Sequence, residues 1–485
     1  MAEALTLRAN QVAVIEEVRM CFTPEPLQPD DPPGEGHQRV LLVAPTGFGK
    51  TTCFTYIAFH AWQKGSRTVI FVHRDELITQ VCERLDKYGI PYGVMAAGQH
   101  IKPWEVIQVA SVQTYVRRLK HVDPPEFMIF DEAHHCVAPT YIKIMDSAPG
   151  AHILGVTATP HLLSGKGMAD AGYTRLVMAD QISKCIAEGY LVPARVYAVP
   201  STLDLGKLKT RAGEYDVATA EAEVIEAKIT GSAVEQYKKL CPGTTAVAFC
   251  VSVKLAQECA EEFNQAGVPA ACIDGEMRKE ERREIIRKYS SGEILVLTNC
   301  ALVTEGFDLP RIQTVILLRP SKSLAYYMQC VGRAMRADEG KQYCNVLDHV
   351  KMIAQPGFGF PDAHREWSLI GKSKLIEDET KKRKQCLQCY LWNVFNASKC
   401  ENCGASFAAG GSATRTVTTA DGQLMLVDDP SLIIVPSKAK ELARLIGKAR
   451  TYEDFQKIAQ ERDYSPGWAR MAWKRRQEKM RKTKR

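Results

Sequence analysis

The sequence predicts an α/β chain with two tandem parallel-sheet domains, followed by a small four-cysteine module and a helical, basic tail. Three observations carry that prediction. Short runs rich in Val, Ile and Leu alternate with helix-length amphipathic segments over the first 350 residues. The alternation breaks once, in an irregular stretch near Gly189–Pro200, and then restarts. After Val350 it is replaced by charged and Gly-rich connections around a cluster of cysteines.

The first series of apolar runs is RVLLVAP (39–45), TVIFVH (68–73), VIQVA (106–110), FMIFDE (127–132) and HILGVTATP (152–160). The second is TTAVAFC (244–250), AACID (270–274), EILVLTN (293–299), TVILLRP (314–320) and YCNVLDH (343–349). Continuous β-branched runs separated by helices suit strands buried on both faces, the signature of parallel sheets. The first domain is read as 1–190 and the second as 191–350, with 201–232 as a lead-in and helix of the second. Residues 351–384 read as a linker containing QPGFGFPD and EDETKKRKQ, 385–407 as the cysteine module, and 408–435 as a second linker. The segment 436–485 reads as helical: Thr451 with Asp454 forms a capping pattern, and Ser465-Pro466 marks another helix start.

A length of 485 residues suits about three domains of ~150 residues, and the 45% hydrophobic and 25% charged content is that of a globular chain. No apolar run approaches the ~18 residues of a membrane span, and MAEALTLRANQ lacks a signal-peptide core, so the expected location is cytoplasmic, away from membranes. The net charge of +7 is concentrated at the end, where Arg470–Arg485 holds nine Lys/Arg against one Glu. Such a tail is a solvated end or a handle on polyphosphate. Most of the 16 cysteines sit singly in apolar runs, as Cys250 and Cys272 do, and read as small buried hydrophobes with reduced thiols.

APTGFGKT (44–51) follows a strand and opens a helix. Gly47 and Gly49 let backbone N–H groups approach phosphate oxygens, Lys50 reaches the β- and γ-phosphates of ATP, and the Thr51 hydroxyl can ligate Mg²⁺. In FMIFDEAHH (127–135), Asp131 and Glu132 close an apolar strand at the edge where open α/β sheets bind ligands. Asp131 suits holding Mg²⁺ through water, and Glu132 suits orienting and deprotonating an attacking water.

DEAH is the hallmark box of superfamily 2 helicases, and the chain resembles them in motif order. LRANQ (7–11) is similar to the Q motif, with Gln11 on adenine. FVHRDELITQ (71–80) and VASVQT (109–114) are similar to motifs Ia and Ib, which implies backbone contacts of nucleic acid with Arg74 and Thr114. TATP (157–160) resembles motif III and AFCVSV (248–253) motif IV; LVTEGFDLP (302–310) resembles motif V and QCVGRAMR (329–336) motif VI. The resemblance implies RecA-like domains, Thr46, Gly306 and Asp308 at the nucleotide, and His134, Thr157, Thr159 and Gln329 coupling hydrolysis to movement. Arg333 and Arg336, three apart on one helical face, can reach across a cleft to the γ-phosphate.

TATPHLLSGKGM, LTNCALVTEGFDLP, PSKSLAYYMQCVGRAMR and VLDHV resemble the RadD-like bacterial DNA repair helicases and their phage relatives, as does the C-terminal YSPGWARMAWKRR. His161 departs from that pattern. The family implies an ATP-dependent DNA helicase or translocase in repair, recombination or phage replication, acting on single-stranded or junction DNA with single-stranded-DNA-binding protein as partner. An RNA helicase, a restriction-enzyme motor and an ATP-gated annealing or remodelling factor are the rival readings. The absence of an RNA-recognition signature argues against the first, and Pro361-Asp362 with Glu366 is a poor nuclease constellation for the second.

Cys386, Cys389, Cys400 and Cys403 form C-x₂-C-x₁₀-C-x₂-C. Four thiolates suit tetrahedral Zn²⁺ and leave no open position for a substrate, so the expected metal is structural. The aromatic interior YLWNVFNASK, flanked by KKRK, suits holding DNA or a partner protein.

Overall fold

The computed structural model describes residues 6–22, 38–73, 75–99, 102–161, 165–198, 202–211, 213–300, 312–371, 373–375, 383–407, 417–420, 423–426 and 451–461, together with Trp473. Arg74, Gly306, Asp308, Pro466 and the basic tail apart from Trp473 lie outside these residues, so the readings that fall on them have no structural counterpart below.

The first sheet is built from β1 (Arg39–Val43), β2 (Thr68–Val72), β3 (Tyr92–Met95), β4 (Ile107–Ser111), β5 (Phe127–Asp131), β6 (His152–Thr157) and β7 (Arg175–Met178). Its order is β3-β4-β2-β5-β6-β1-β7, and every pair is parallel. The central strands are almost wholly removed from solvent: Leu41, Ile70, Phe71, Ile129, Phe130 and Leu154 are all fully buried. The five runs legible in the sequence became strands here, and β3 and β7 join them as edges.

The second sheet contains β8 (Ala194–Ala198), β9 (Ala246–Phe249), β10 (Ala270–Ile273), β11 (Val296–Asn299), β12 (Thr314–Leu317) and β13 (Cys344–Asp348), in the order β10-β11-β9-β12-β13-β8. It is again parallel throughout. The chain therefore folds as two RecA-like parallel sheets in tandem. Between β8 and β9 the chain makes a small hairpin, Thr210–Arg211 with Glu214–Tyr215, and then two helices, Val217–Glu226 and Ile229–Leu240. Glu214 ties the hairpin down by accepting from the Ser321 hydroxyl at 2.6 Å and the Lys322 N–H at 2.8 Å.

The cysteine segment is docked on the second sheet. Arg383–Gln385 pairs antiparallel with Trp392–Val394; Leu391 bridges to Tyr197 on edge strand β8, and the Gln385 side chain donates to the Ala198 carbonyl at 3.0 Å. This covers a strand edge that would otherwise offer unpaired backbone groups.

The described residues after Phe407 belong to a separate unit. Within it, Val417–Ala420 pairs with Gln423–Leu426 in the stretch read as a linker. The Asp-Gly between two β-prone runs is a hairpin signal that explains the pairing. Helix Tyr452–Glu461 carries the expected reciprocal cap, with Thr451 N–H on Asp454 at 2.8 Å and Asp454 N–H on the Thr451 hydroxyl at 3.3 Å. Among the described residues, no helix is long and apolar enough to cross a membrane.

Candidate functional site

The phosphate loop leaves β1 at its C-terminal end, where Ala44 N–H donates to the Thr157 carbonyl of β6 at 3.0 Å. Gly47 (φ 90°) and Gly49 (φ 97°) are in the left-handed region, where a side chain is strained. Gly49 is the N-cap of helix Lys50–Gln63 and provides no side-chain cap. The first-turn N–H groups and the positive end of the helix dipole thus suit an anion. Lys50 is half-buried with its ammonium 3.3 Å from the Ala44 carbonyl. Desolvation pushes its pKa down, opposed by Glu132 and Asp131 and reinforced by Arg333 and Arg336. One ammonium therefore feels both carboxylates and both arginines.

Asp131 ends β5, is 8% exposed, and accepts the Glu132 N–H at 3.0 Å. Glu132 sits at φ 49°, left-handed for a residue with a side chain, a conformation costing on the order of 1–3 kcal/mol. It turns the carboxylate towards His134, whose Nδ1 lies 3.3 Å away. Burial opposes ionisation of Glu132, but His134, Lys50 and Arg333 outweigh it and hold its pKa down. His134 Nδ1 is also 3.3 Å from the Thr157 hydroxyl, which donates to the Thr159 carbonyl at 3.1 Å and accepts the Thr159 N–H at 3.2 Å. A continuous polar path therefore runs from Glu132 through His134 to the turn after β6. His135 packs beside it, its ring centroid 4.2 Å from that of His134 and its ring stacked on His73 with centroids 4.3 Å apart.

Helix Leu324–Ala334, capped by the Ser323 hydroxyl accepting Tyr326 N–H, brings the second domain onto this loop. A Cβ at Gly332 would lie 2.6 Å from the Thr46 Cβ, and one at Gly47 would lie 3.6 Å from the Arg336 Cγ. Gln329 and Arg333 are 7% and 8% exposed on this helix, and Arg336 follows it half-buried.

Gln11 is buried at the other side of the loop. Its amide donates to the Phe48 carbonyl at 2.9 Å and accepts Arg8 N–H at 3.0 Å, so it braces the phosphate loop itself. The structure thus brings Gln11, Thr46, Gly47, Gly49, Lys50, Thr51, Asp131, Glu132, His134, Thr157, Thr159, Arg333 and Arg336 around the phosphate loop, with Gln329 buried on the same helix as Arg333. Thr114 lies apart, half-buried in helix Val112–Arg118 after β4. Sequence reading missed Arg8, whose guanidinium lies 4.4 Å over the Tyr190 ring, and Leu191, whose Cδ2 would be 2.6 Å from a Cβ at Gly47. Arg8 was within reach as a neighbour of Gln11; Tyr190 and Leu191 carry no local signal.

The four cysteine sulfurs lie within 4.8 Å of one another, with Cys386–Cys403 at 3.6 Å and Cys389–Cys400 at 3.5 Å. Tetrahedral zinc with bonds of ~2.3 Å separates its sulfurs by roughly 3.8 Å, so the cluster fits that ion. The residue after each CxxC, Tyr390 (φ 62°) and Gly404 (φ 71°), is left-handed, and the two knuckles make matching turns: Tyr390 N–H on the Cys386 carbonyl, Gly404 N–H on the Cys400 carbonyl.

Two parallel sheets with a phosphate loop on one and an arginine-bearing helix on the other define a nucleotide-hydrolysing motor core. Residues 4–162 match the family described as type III restriction enzyme, res subunit, and residues 232–338 match the helicase conserved C-terminal domain. A 51.5 kDa protein of a Lactococcus phage is 31% identical over 371 residues, covering 76% of this chain and 78% of that one. A protein described as the ATP-dependent helicase IRC3 of Saccharomyces cerevisiae is 28% identical over 338 residues, 65% of this chain and 49% of that one. The chain thus spans about half the length of that yeast relative. In fold, it is similar to a fragment described as the HsdR subunit of a type I restriction enzyme from Vibrio vulnificus, with a TM-score of 0.56 at 20% identity, covering 77% of this chain and 68% of that one. It is also similar to the type ISP restriction-modification enzyme LlaBIII, solved bound to DNA, with a TM-score of 0.53 at 16% identity, covering 71% and 28%. The chain belongs to the superfamily 2 helicases, the ATP-hydrolysing nucleic-acid motors.

Proposed function

We propose that this chain is an ATP-driven motor that moves on or unwinds DNA, with the cleft between its sheets as the hydrolytic site. The observation that carries this reading is the seating of Gly332 on Thr46 with Lys50, Asp131, Glu132, Arg333 and Arg336 in mutual electrostatic reach. Backbone N–H groups at Gly47–Thr51 and the Lys50 ammonium bind the phosphates of ATP, and Gln11 fixes the loop. Asp131 and Thr51 would hold Mg²⁺, which neutralises phosphate charge when bound. Glu132 stays ionised in neutral solution, so it orients a water molecule more effectively than it stores a proton. Arg333 and Arg336 meet the charge that develops on the γ-phosphate. Gly306, Asp308 and Arg74 retain the roles implied by their motifs, as does Thr114 on the nucleic-acid path. A cytoplasmic place in DNA repair or phage replication, with single-stranded-DNA-binding protein as partner, suits the RadD-like pattern.

The test compares ATP hydrolysis stimulated by single-stranded DNA, forked DNA and RNA of equal length, with strand displacement measured on the fork. DNA-specific stimulation is expected; stimulation by RNA alone would favour the RNA-helicase reading, and hydrolysis without displacement the remodelling factor.

The path from Glu132 to Thr159 gives a second expectation. Thr157→Val keeps the shape but leaves His134 and Thr159 short of a buried partner, at about 1–3 kcal/mol. DNA-stimulated hydrolysis should continue while strand displacement per ATP falls about tenfold. Equal losses in both would show that Thr157 supports chemistry and not coupling.

We assign Zn²⁺ to the four cysteines. Metal analysis should find one zinc per chain and almost none in Cys389→Ser. With metal-dependent folding of such peptides worth roughly 10–16 kcal/mol, chelation should expose the backbone amides of 383–407 to hydrogen exchange. An intact exchange pattern after complete metal removal would refute a structural role.

A further inference from the structure

Beyond β13 the chain does not leave the motor core. The Asp348 carboxylate accepts the N–H groups of Val350, Met352 and Ile353 at 3.3, 2.9 and 2.8 Å, turning the chain into a strap, residues 358–371, that returns to the first domain. Its near end is tied to the arginine-bearing helix: the Tyr327 hydroxyl donates to the Gly359 carbonyl at 3.3 Å, and the Tyr327 ring stacks on Phe358 with centroids 5.6 Å apart. The far end is tied to the first domain. Ala169 N–H donates to the Leu369 carbonyl at 2.9 Å, and the Gln181 amide donates to the Arg365 carbonyl at 3.2 Å. Gly167 lies so close beneath the strap that a Cβ there would strike the Leu369 carbonyl oxygen and lie 2.5 Å from the Ile370 carbonyl carbon.

Between these anchors, Arg365 is 3% exposed. Its guanidinium donates to the carbonyls of Pro361 at 3.3 Å, Ala363 at 3.0 Å and Phe360 at 3.0 Å, and also to Phe358. These bonds offset the cost of burying the cation although its Nε has no partner among the described residues, and four carbonyls on one planar group make the crossing stiff. Trp367 packs against the clusters on both faces of the first sheet, one of which continues into the second domain. Pro361, Arg365 and Trp367 share the wall of one cavity with Thr46 of the phosphate loop and with Met328 and Gly332 of the helix.

We propose that this strap is a clip across the ATP cleft, in which Arg365 and Trp367 act as positioning residues that seat the Leu324–Ala334 helix on the phosphate loop. The inference rests on the motor reading above. It differs from a plain linker in one respect: the anchors join the helix carrying Gln329 and Arg333 to Ala169 and Gln181, which flank β7 of the first domain. Cleft closure in such motors draws on nucleotide binding. A stiff clip supplies part of that alignment in advance, which lowers the orientational penalty left for the nucleotide.

The test is steady-state ATP hydrolysis on single-stranded DNA by the full chain. Trp367→Ala should raise the KM for ATP about tenfold while kcat stays within about twofold, and Trp367→Phe should restore both. Gly167→Val, which lifts the strap from the other side, should act in the same direction. A merely structural role would lower active fraction and kcat at constant KM, and an unchanged KM in folded Trp367→Ala overturns the clip. Should neither variant fold, hydrogen exchange of the wild-type chain decides the matter. The Ala169 amide should be protected without nucleotide, and free exchange there overturns the proposal. Wild-type protein lacking DNA-stimulated hydrolysis would instead sink the motor reading, with the Ala169 measurement still judging the clip.

Discussion

Lys50→Ala should reduce DNA-stimulated ATP hydrolysis by about 10³-fold or more, and strand displacement with it. Lys50 is the charge on which the geometry of the cleft converges. Its ammonium is half-buried 3.3 Å from the Ala44 carbonyl, in the field of Glu132 and Asp131 on one side and Arg333 and Arg336 on the other. No neighbouring side chain can replace it, since the two arginines belong to the opposite domain and meet the phosphate from across the cleft. Desolvation lowers the Lys50 pKa, so its contribution as a cation is lost as pH rises through that lowered value. For Glu132 the sign is opposite. Its folded pKa lies below the ordinary 4.5, so its stabilising ion pairing is complete above that value and is lost as pH falls through the folded pKa. The wild-type rate should therefore show no acid limb from Glu132 between pH 5 and 7, and phosphate release measured over that range checks it. Near-normal hydrolysis by folded Lys50→Ala would mean that ATP is turned over elsewhere.

How much of this was readable beforehand follows from how local each signal is. Ten apolar runs became strands: most are Val/Ile/Leu-rich enough to be recognised alone, and AACID is legible through its place in the alternation with helices. The strand Tyr92–Met95 escaped because YGVM is four residues with a glycine, and Arg175–Met178 and Ala194–Ala198 escaped because an arginine cuts short each apolar run. The phosphate loop and the Asp131–Glu132 pair were legible since backbone turn, helix start and chemistry all lie within a few residues. The bracing of the loop by Gln11 was not, because adenine recognition and the bond to the Phe48 carbonyl call on the same amide. The strap was the least legible part. QPGFGFPD has the composition of a connection, and only the fold shows that Phe358 meets Tyr327 while Leu369 returns to Ala169. Docking of the cysteine module on β8 was hidden for the same reason, since Leu391 and Tyr197 are almost two hundred residues apart in sequence.

Arg333→Ala should lower kcat by about 10³-fold, with a smaller effect from Arg336→Ala. The order follows from placement. Arg333 is 8% exposed within helix Leu324–Ala334 and adds to the charges felt by both Lys50 and Glu132. Arg336 lies one turn on, half-buried, and packs its Cγ near Gly47. Arg333→Lys should recover only a minor part of the loss, because a single ammonium cannot reproduce the planar fork that meets two phosphate oxygens at once. ATP binding should be affected far less than turnover, since the charge met by this arginine grows as the γ-phosphate is transferred. Stopped-flow binding of a fluorescent ATP analogue, set beside single-turnover hydrolysis, separates the two. Equal losses of binding and turnover would recast Arg333 as a ground-state contact. A further check comes from Gly332→Leu, which keeps both arginines in the chain but drives a side chain into Thr46 and so lifts their helix off the loop. That variant should match the turnover defect of Arg333→Ala, because both remove the same thing: an arginine held against the phosphate loop from the opposite sheet.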